Sequence, residues 1–427
     1  DLLERVEVVL GPASALYGPG VGAGVVHYLS KDPFKHPGTS IELHTGGFEK
    51  NGSFDMNMFK MNFRHAVSND DNTFGYKFNV KYGENEDFDL AESASSNFVN
   101  TITDAATGRV VKTIDGFIER NSQRGADATL YYRPSNDLSI TTVAGINEVA
   151  SNIFISSTGE TRAQQRSAFI QTRVQSGNLF MQYNYTDTSN PTEDKYRGFN
   201  YRTGVTTGIE SKQSQFQLQY EIALDQINTG LSIGVEHMSS KFDTSTATFG
   251  RFENDDDYRI YGAYFSAKTK LSDKLNLQLA GRYDKYPEVG ESSFAPRAAL
   301  VYNPNNRHNL RLTFNKAFIA PAALVMFLDL PVQKLGPGIN VWIYGNKEAQ
   351  TFTNPSTSWF VPGLPTNQGI GMPVATAYAV ATATVAPLLA GTPLQAFIPF
   401  ITSQNTLAGI AGLGEIGRAH VWTPVTL

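Results

Sequence analysis

The sequence predicts an all-β fold, a transmembrane antiparallel β-barrel, on three observations. Apolar and polar residues alternate along segments of about ten residues, the connectors between these segments are short and long in turn, and no run of eighteen apolar residues is present. A strand with one face in lipid and one in a wet lumen requires this alternation. A transmembrane helix would need about 20 consecutive apolar residues, so we exclude it.

The composition agrees with a barrel. The chain has 427 residues, with 37 Gly, 19 Tyr, 27 Phe and no Cys, and its hydrophobic fraction is 41%. A chain of this length ordinarily forms two or three soluble domains, but one large barrel is also allowed. The absence of cysteine fits envelope and cytosolic proteins alike. A net charge of −5 lacks the clustered basic face of a nucleic-acid partner, so none is expected.

We predict 13 strands from the alternation. The clearest has Leu277 and Leu279 alternating with Asn276 and Gln278. Bacterial single-chain barrels have an even number of strands, and a barrel wide enough to enclose a folded segment has about 22. The predicted architecture is therefore a partial barrel, about 13 of about 22 strands. The strands are expected near 39–47, 54–67, 73–82, 126–133, 138–147, 166–174, 179–186, 212–223, 229–238, 258–271, 275–284, 293–303 and 309–317.

The connectors separate a barrel from a soluble β-rich binding module, which shares the alternation. Turn residues form short links at 68–72, 134–137, 175–178, 225–228, 272–274 and 304–306. Longer segments lie near 83–125, 148–165, 187–211, 239–257 and from 318 onward, with two shorter links near 48–53 and 285–292. This succession is typical of short periplasmic turns and larger external loops.

The most specific motif of the chain covers residues 4–33, ERVEVVLGPASALYGPGVGAGVVHYLSKDP. It predicts a strand, a turn at Gly11 and Pro12, a helical turn ending at Tyr17, a glycine-rich reversal at 18–24 and a second strand at 25–30. The glycines permit positive φ and close backbone approach. A phosphate-binding loop would end in Gly-Lys-Ser/Thr before a long helix, which this motif does not. A strand–turn–strand unit of unknown purpose remains the other interpretation.

This motif resembles the end of the plug domain of TonB-dependent outer-membrane receptors. Leu10 stands where that family often has Arg, and His27 where Asn is usual, as in a Bacteroidetes-like branch. The segments 294–297 (FAPR) and 318–321 (FIAP) also resemble receptor barrels, with Ile319 in place of Arg. The resemblance is specific over residues 4–47 and rests on the strand pattern over 48–321.

The resemblance implies four parts. Residues 1–37 are expected to be the C-terminal remnant of a plug domain, and 38–321 part of the barrel. Residues 322–414, rich in Ala, Thr, Leu and Pro, are either a long external loop or a poorly structured segment. Residues 415–427 look like a translated sequencing adapter. We also expect that the TonB box and most of the plug precede Asp1.

The function that the resemblance implies is energised uptake of a scarce nutrient across the outer membrane of a Gram-negative bacterium. The nutrient class is open among siderophores, cobalamin, haem and oligosaccharides, because a fold does not define its ligand. The implied partners are TonB with ExbB-ExbD, outer-membrane lipid and lipopolysaccharide, the nutrient, and as a further candidate a surface lipoprotein. No cofactor is expected. The alternative is a passive porin or adhesin-like barrel, which would share the alternation without the plug motif.

Two groups of residues are candidates for binding. The resemblance assigns the first to seating the plug, in part because charges such as Arg5 and Glu7 inside a barrel would pair with the wall; an ordinary surface pair is the alternative. This group is Arg5, Glu7, Gly11, Pro12, Tyr17, Gly18, Gly24 and His27. Aromatic and arginine side chains in a long loop favour recognition, although they also pack on one another or meet lipid headgroups. This second group is Tyr196, Phe199, Tyr201 and Arg202.

Nothing in the sequence predicts an enzyme. The seven histidines lack the spacing of a metal site, and no Ser-His-acid arrangement of an outer-membrane hydrolase is evident. Carboxylates in the run at 254–257 are potential calcium ligands. A solvated loop tip explains such a run without an ion, so no metal site is predicted.

Overall fold

The structure is a computed structural model and describes residues 2–10, 18, 24–50, 53–86, 98–103, 109–113, 120–155, 159–189, 198–305, 307–316, 318, 320–336 and 339–345. Two compact units are distinguished. One contains Asp1–Gln333, Trp342–Gly345 and Val425–Leu427, and the other contains Lys334–Val341 and Asn346–Pro424. Most of the predicted segment 322–414, and all of 415–427, lie outside the described residues.

One large antiparallel sheet contains all 13 predicted strands, which confirms the partial barrel. Along the sheet, each of these 13 strands is hydrogen-bonded to its neighbours in sequence order, from β3 at one edge to β18 at the other. A further two-residue strand, β12, pairs with β10 and brings the sheet to 14 strands. These strands are β3 (Gly38–Lys50), β4 (Ser53–Ser68), β5 (Phe74–Glu86), β8 (Arg120–Tyr132), β9 (Leu138–Ile155), β10 (Gly159–Ser176), β11 (Leu179–Ser189), β12 (Phe199–Asn200), β13 (Glu210–Leu224), β14 (Thr229–Asp243), β15 (Tyr258–Ser272), β16 (Leu275–Tyr286), β17 (Glu291–Asn305) and β18 (His308–Asn315).

Three two-stranded sheets, one short α-helix and three 3-10 helices (Asp225–Ile227, Gly250–Phe252 and Pro287–Val289) complete the described elements. The N-terminal motif forms an antiparallel pair in which Val8 lies opposite Val26, as the predicted strand–turn–strand unit requires. The elements are β1 (Leu3–Leu10), β2 (Gly24–Ser30), β6 (Thr101–Thr103), β7 (Val110–Thr113), β19 (Asp329–Gly336), β20 (Ile339–Tyr344) and α1 (Ala323–Phe327). Among the described residues, no helix is long and apolar enough to be a membrane span.

The predicted loop at 148–165 is wrong. β9 and β10 continue through it, and residue pairs from Glu148 opposite Arg166 up to Ile155 opposite Gly159 extend the ladder. The apolar alternation that defined the strands ends near residue 147 because the next outward position of β9 is Glu148, which lies opposite Arg166 of β10. Arg124, Glu148 and Arg166 form an ion-pair row across β8, β9 and β10, with N–O distances of 2.7 and 3.1 Å. The hairpin therefore extends past the apolar band.

The register gives the sheet one polar and one apolar face. On β16, Leu279 and Tyr283 are exposed, whereas Arg282 and Asp284 are buried on the opposite face. Tyr264 of β15 hydrogen-bonds to Gln217 and Gln219 of β13, which places these side chains together on the inner face. Exposed aromatic rings lie towards both ends of the outer face, a distribution typical of membrane interfaces. They include Tyr220, Tyr261, Tyr283 and Tyr302.

The short links adopt the turns that their sequences predict. Asn72, Gly177 and Asn228 have φ values of 54°, 52° and 48°, in the left-handed region that Asn and Gly tolerate best. All three lie at one end of the sheet, since each follows a strand that runs in the same direction. The long segments are at the other end, as a barrel with periplasmic turns and external loops requires.

Two external segments pack into a small apolar core, which we call the loop cap. Phe249 of the link between β14 and β15 packs with Met326 and Phe327 of α1 and with Tyr258 and Tyr286 at the strand ends. Polar contacts fasten the same segments. The Asp329 amide donates to the Thr248 carbonyl at 2.8 Å, and the Arg251 amide donates to the Asp329 carboxylate at 2.9 Å.

The face assignment predicts different costs for an arginine at adjacent positions of β16. Leu279→Arg would place a charge in hydrocarbon near the midplane and should cost about 2–4 kcal/mol of folding free energy, whereas Gln278→Arg keeps its charge in the lumen and should cost far less. Refolding titrations into lipid bilayers measure both. Equal costs would contradict the assignment of the two faces.

The stability of the loop cap should depend on pH through Asp256 of the link between β14 and β15, which is 1% exposed. Burial, with the nearby Glu253, Asp257 and Asp243 carboxylates, raises its pKa to about 6. Because the unfolded pKa is about 3.9, the folded cap binds more protons between these values, and its stability should fall as pH rises from about 4 to about 6. Asp256→Asn should therefore slow amide exchange of the cap at pH 7.5 and flatten this dependence. The same effect from the exposed Asp257→Asn would contradict the assignment.

Candidate functional site

The inner face of the sheet contacts the N-terminal motif at Gly18. This glycine is buried and has φ of +87°. A Cβ built on it would lie 3.7 Å from the Glu236 Oε2 atom and 3.8 Å from the Arg282 Cζ atom, which are ordinary contact distances. Backbone conformation is therefore the reason for glycine here, as predicted for the reversal. The motif is thus seated directly against charged side chains of the wall.

These side chains form what we call the wall cluster: Gln215, Glu236, Tyr264, Arg282 and Asp284. The Arg282 Nη2 atom lies 2.7 Å from the Glu236 Oε2 atom, and its Nε donates to the Asp284 carboxylate at 2.9 Å. Gln215 donates to Glu236, and the Tyr264 ring lies beside the guanidinium. The side chains of Arg282, Glu236 and Asp284 are 1%, 8% and 2% exposed. One cation between two anions offsets the desolvation of all three.

Gly262 leaves the space that the side chains of the wall cluster occupy. A Cβ on Gly262 would overlap the Arg282 Nη2 atom, so any side chain there would displace the guanidinium. None of these wall residues was singled out from the sequence. The alternation identifies Arg282 and Asp284 as inward polar residues of β16, but inward polar residues occur on every strand. The contact with Gly18, far away in the chain, is what distinguishes them.

A second contact begins at the last residue of β2, in residues 30–36, which we call the connector. The Lys77 ammonium donates to the Ser30 Oγ at 2.6 Å and to the Lys31 carbonyl at 3.0 Å. The Arg133 Nη2 atom donates to Asp32 at 2.9 Å, and the Arg64 guanidinium donates to the His36 carbonyl. The wall thus binds both the glycine reversal and the segment that joins the motif to β3.

The charged residues predicted to seat the motif are paired differently. Arg5 donates to Glu7 at 2.7 Å, and the His27 Nδ1 atom lies 3.8 Å from Glu7, across from β1 to β2. All three side chains are about half exposed. In the described part of the chain these charges thus pair within the two-stranded sheet, which is the alternative considered above, and not with the wall. Gly24 begins β2 opposite Leu10, and Gly11, Pro12 and Tyr17 lie outside the described residues.

The loop aromatics predicted to meet a ligand form a second small core. Phe199 and Tyr201 are 2% and 1% exposed and pack with Ile102 and Phe98, with ring centroids 4.8 Å apart between Phe199 and Tyr201. Packing on one another is therefore the role that the structure shows for these two rings. Arg202 is half-buried beside them, and its amide donates to Asn200 at 2.9 Å. Tyr196 lies outside the described residues.

The acidic run does not converge on one point. Asp256 is buried, whereas Asp255 and Asp257 are exposed. Within the described ranges, no group of three or more His, Asp or Glu side chains is placed to hold a metal ion.

Comparisons with known proteins match this architecture. Residues 17–359 match the family model described as TonB dependent receptor-like, beta-barrel. The probable TonB-dependent siderophore receptor PirA of Acinetobacter baumannii is 23% identical over 354 residues, which cover 75% of this chain and 46% of PirA. The crystal structure of PirA from that species superposes with a TM-score of 0.56 at 16% identity, covering 82% of this chain and 53% of the other.

A mutant of the ferric enterobactin receptor PfeA from Pseudomonas aeruginosa also superposes with a TM-score of 0.56, at 17% identity, covering 81% of this chain and 54% of the other. The chain therefore spans about half the length of the relatives it matches. Since the family model covers most of the sequence and the sheet, turns and glycine reversal agree with it, the chain belongs to the TonB-dependent receptors, which are outer-membrane proteins of Gram-negative bacteria.

Proposed function

We propose that the full-length protein takes up a ferric siderophore across the outer membrane with energy supplied through TonB. The observation that carries this proposal is the seat of Gly18 on the wall cluster, because it holds part of a plug against the lumen wall. The named functions of two similar proteins, the siderophore receptor PirA and the ferric enterobactin receptor PfeA, support this class of nutrient. Cobalamin, haem and oligosaccharides are the other classes that the experiment below would reveal.

The wall cluster suits a contact that must form and break. A buried ion group contributes little net stability, because the loss of hydration offsets most of the attraction between its charges. When Gly18 leaves the wall, Arg282, Glu236 and Asp284 remain paired with one another and gain water. The plug is thus held in a defined place without a large penalty for release. A passive porin, in contrast, keeps a water-filled lumen and needs no such seat.

The remaining partners belong to the same proposal. TonB with ExbB-ExbD would deliver the proton-gradient energy to the plug, the outer face would contact lipid and lipopolysaccharide, and the external loops would bind the nutrient. Arg202 and Tyr196 remain the predicted ligand contacts of the loop group, since Phe199 and Tyr201 are enclosed. Aromatic and arginine side chains are favoured at recognition surfaces. We assign no cofactor and no catalytic step to the receptor.

Transport by cells decides the function. The full-length gene is expressed in a Gram-negative host that lacks its own siderophore receptors, and radioactive iron is supplied as catecholate or hydroxamate chelates, with and without TonB. We expect uptake of one chelate class that falls to the empty-vector level without TonB or with a protonophore. Uptake that persists in both conditions would indicate a passive porin. Energised uptake of labelled cobalamin, haem or oligosaccharide alone would overturn the siderophore assignment.

The seat of Gly18 yields a second prediction. Gly18→Val forces a β-branched residue to φ near +87° and should cost about 1–3 kcal/mol of local strain. The strain should loosen the plug, raise entry of large antibiotics and lower energised uptake, while heat-modifiable mobility in gels shows a normally assembled barrel. Gly290→Val is the matched control, because Gly290 has φ of +68° in an external turn with open space around it. Equal permeability of the two variants would contradict the seat.

A further inference from the structure

The connector is held by three neighbouring strands at once. Arg64 lies on β4, Lys77 on β5, and Arg133 follows directly after β8; these three strands are adjacent in the sheet. Each donates to a different part of the connector: Arg64 to its end at His36, Arg133 to Asp32, and Lys77 to its start at Ser30 and Lys31. The connector is thus hydrogen-bonded to the wall at its start, its middle and its end. Three separate contacts prevent it from rotating about any single one of them.

The Lys77 ammonium is hydrogen-bonded to the connector. Lys77 is only 2% exposed. Both hydrogen-bond acceptors of its ammonium are atoms of the connector. Among the described residues, no carboxylate forms an ion pair with its ammonium. Removing one side of a buried polar contact leaves the other side desolvated and without a partner, which is far more costly than exchanging two solvated partners. Departure of the connector would therefore take away both hydrogen-bond acceptors of this ammonium.

The connector also has a fixed shape of its own, organised by Asp32. One carboxylate oxygen of Asp32 accepts from the Phe34 amide at 2.8 Å, while the other accepts from Arg133. Its carbonyl accepts from the His36 amide at 2.9 Å, which closes a tight turn. A single residue thus shapes the turn and fastens it to the wall.

Apolar contacts fill the remaining space under this turn. Pro33 is fully buried, and the Phe34 ring packs edge-on against Tyr131 with centroids 6.0 Å apart and beneath the Arg133 guanidinium at 4.6 Å. Gly75 of β5 forms the floor, since a Cβ there would lie 3.1 Å from the Phe34 ring and 3.2 Å from the Pro33 Cγ. The wall therefore provides a socket that fits these two side chains.

The two-stranded sheet that precedes the connector pairs charges within itself and with the connector. Arg5 pairs with Glu7 inside the sheet, and the Lys35 Nζ atom of the connector lies 3.6 Å from the Glu4 Oε1 atom. Among the described residues of the sheet and the connector, the hydrogen bonds donated by the wall begin at Ser30.

We propose that Arg64, Lys77 and Arg133 are positioning residues that keep the connector on the wall throughout transport, so that the moving part of the plug ends before Ser30. This inference rests on the proposed function, because only a receptor with a moving plug needs a fixed boundary to that movement. The hinge lies at the end of β2, just before Ser30. Release of the plug then leaves Lys77 and Arg64 paired.

Amide hydrogen exchange of the purified full-length receptor tests the anchor without any transport. In Lys77→Met, exchange of the peptide that contains Phe34 and His36 should accelerate about tenfold or more, because the two hydrogen bonds that the ammonium donates to the connector are lost. Lys81→Met is the matched control on the same face of β5, where the side chain is exposed, and should leave that peptide unchanged. If Lys77→Met does not assemble, Arg133→Gln replaces it, with the outward ion-paired Arg124→Gln as control. Unchanged exchange in an assembled anchor variant overturns the proposal.

A reversible cross-link tests the fixed boundary in cells. The double variant Pro33→Cys/Gly75→Cys joins the connector to β5 at a position where a Cβ on Gly75 would lie 3.2 Å from the Pro33 Cγ. We expect the oxidised receptor to take up iron chelate at the rate of the reduced one. Loss of uptake on oxidation that reductant restores would show that the connector must move, and would overturn the proposal. If the unmodified receptor has no energised uptake, the proposed function fails, and hydrogen exchange alone still decides the anchor.

Discussion

The two-residue period of a strand in a bilayer is the constraint on which the rest of this structure depends. Inside the bilayer, every backbone donor and acceptor must be hydrogen-bonded within the sheet. A strand therefore cannot leave this hydrogen-bonded ladder to turn a side chain away from lipid. A slip of one residue would exchange the two faces completely. Leu279 is therefore fixed outward, and Arg282 is fixed inward beside Glu236 and Asp284.

Given fixed faces, the lumen wall holds its buried charges in two physically different ways. Arg282 is compensated by carboxylates of the wall itself, so that Gly18 contacts a group that is complete without it. Lys77 donates its two hydrogen bonds to the connector, so departure of the connector would break both. Both are inward basic residues of central strands, but the first arrangement tolerates departure of its neighbour and the second opposes it. Under the proposals above, the same wall would hold one contact that is released and one that is kept.

The strands of the sheet could be predicted from the sequence, whereas the wall residues that contact the N-terminal motif could not. Alternation located all 13 strands because lipid enforces an apolar residue at every second position, but it missed the upper half of the hairpin of β9 and β10. There the outward positions are Glu148 and Arg166, which pair in water while the backbone ladder continues. Lys77 and Arg282 could not be identified, since an inward polar residue looks the same in sequence whether it meets water, a neighbour or the plug.

The external loops explain why aromatic residues alone are a weak guide to ligand contact. Loops that rise above the membrane cannot use the sheet as a core, so they bury their own apolar side chains, as Phe199 and Tyr201 do in one cluster and Phe249 and Phe327 in another. Aromatic rings that are buried in these small cores fix the shape of the loops. Under the proposed function, the polar side chains around them would contact the ligand. Ligand choice and plug release would therefore depend on separate residues under the same proposal. Loop sequences could then change with the nutrient while the wall keeps its contacts with the plug.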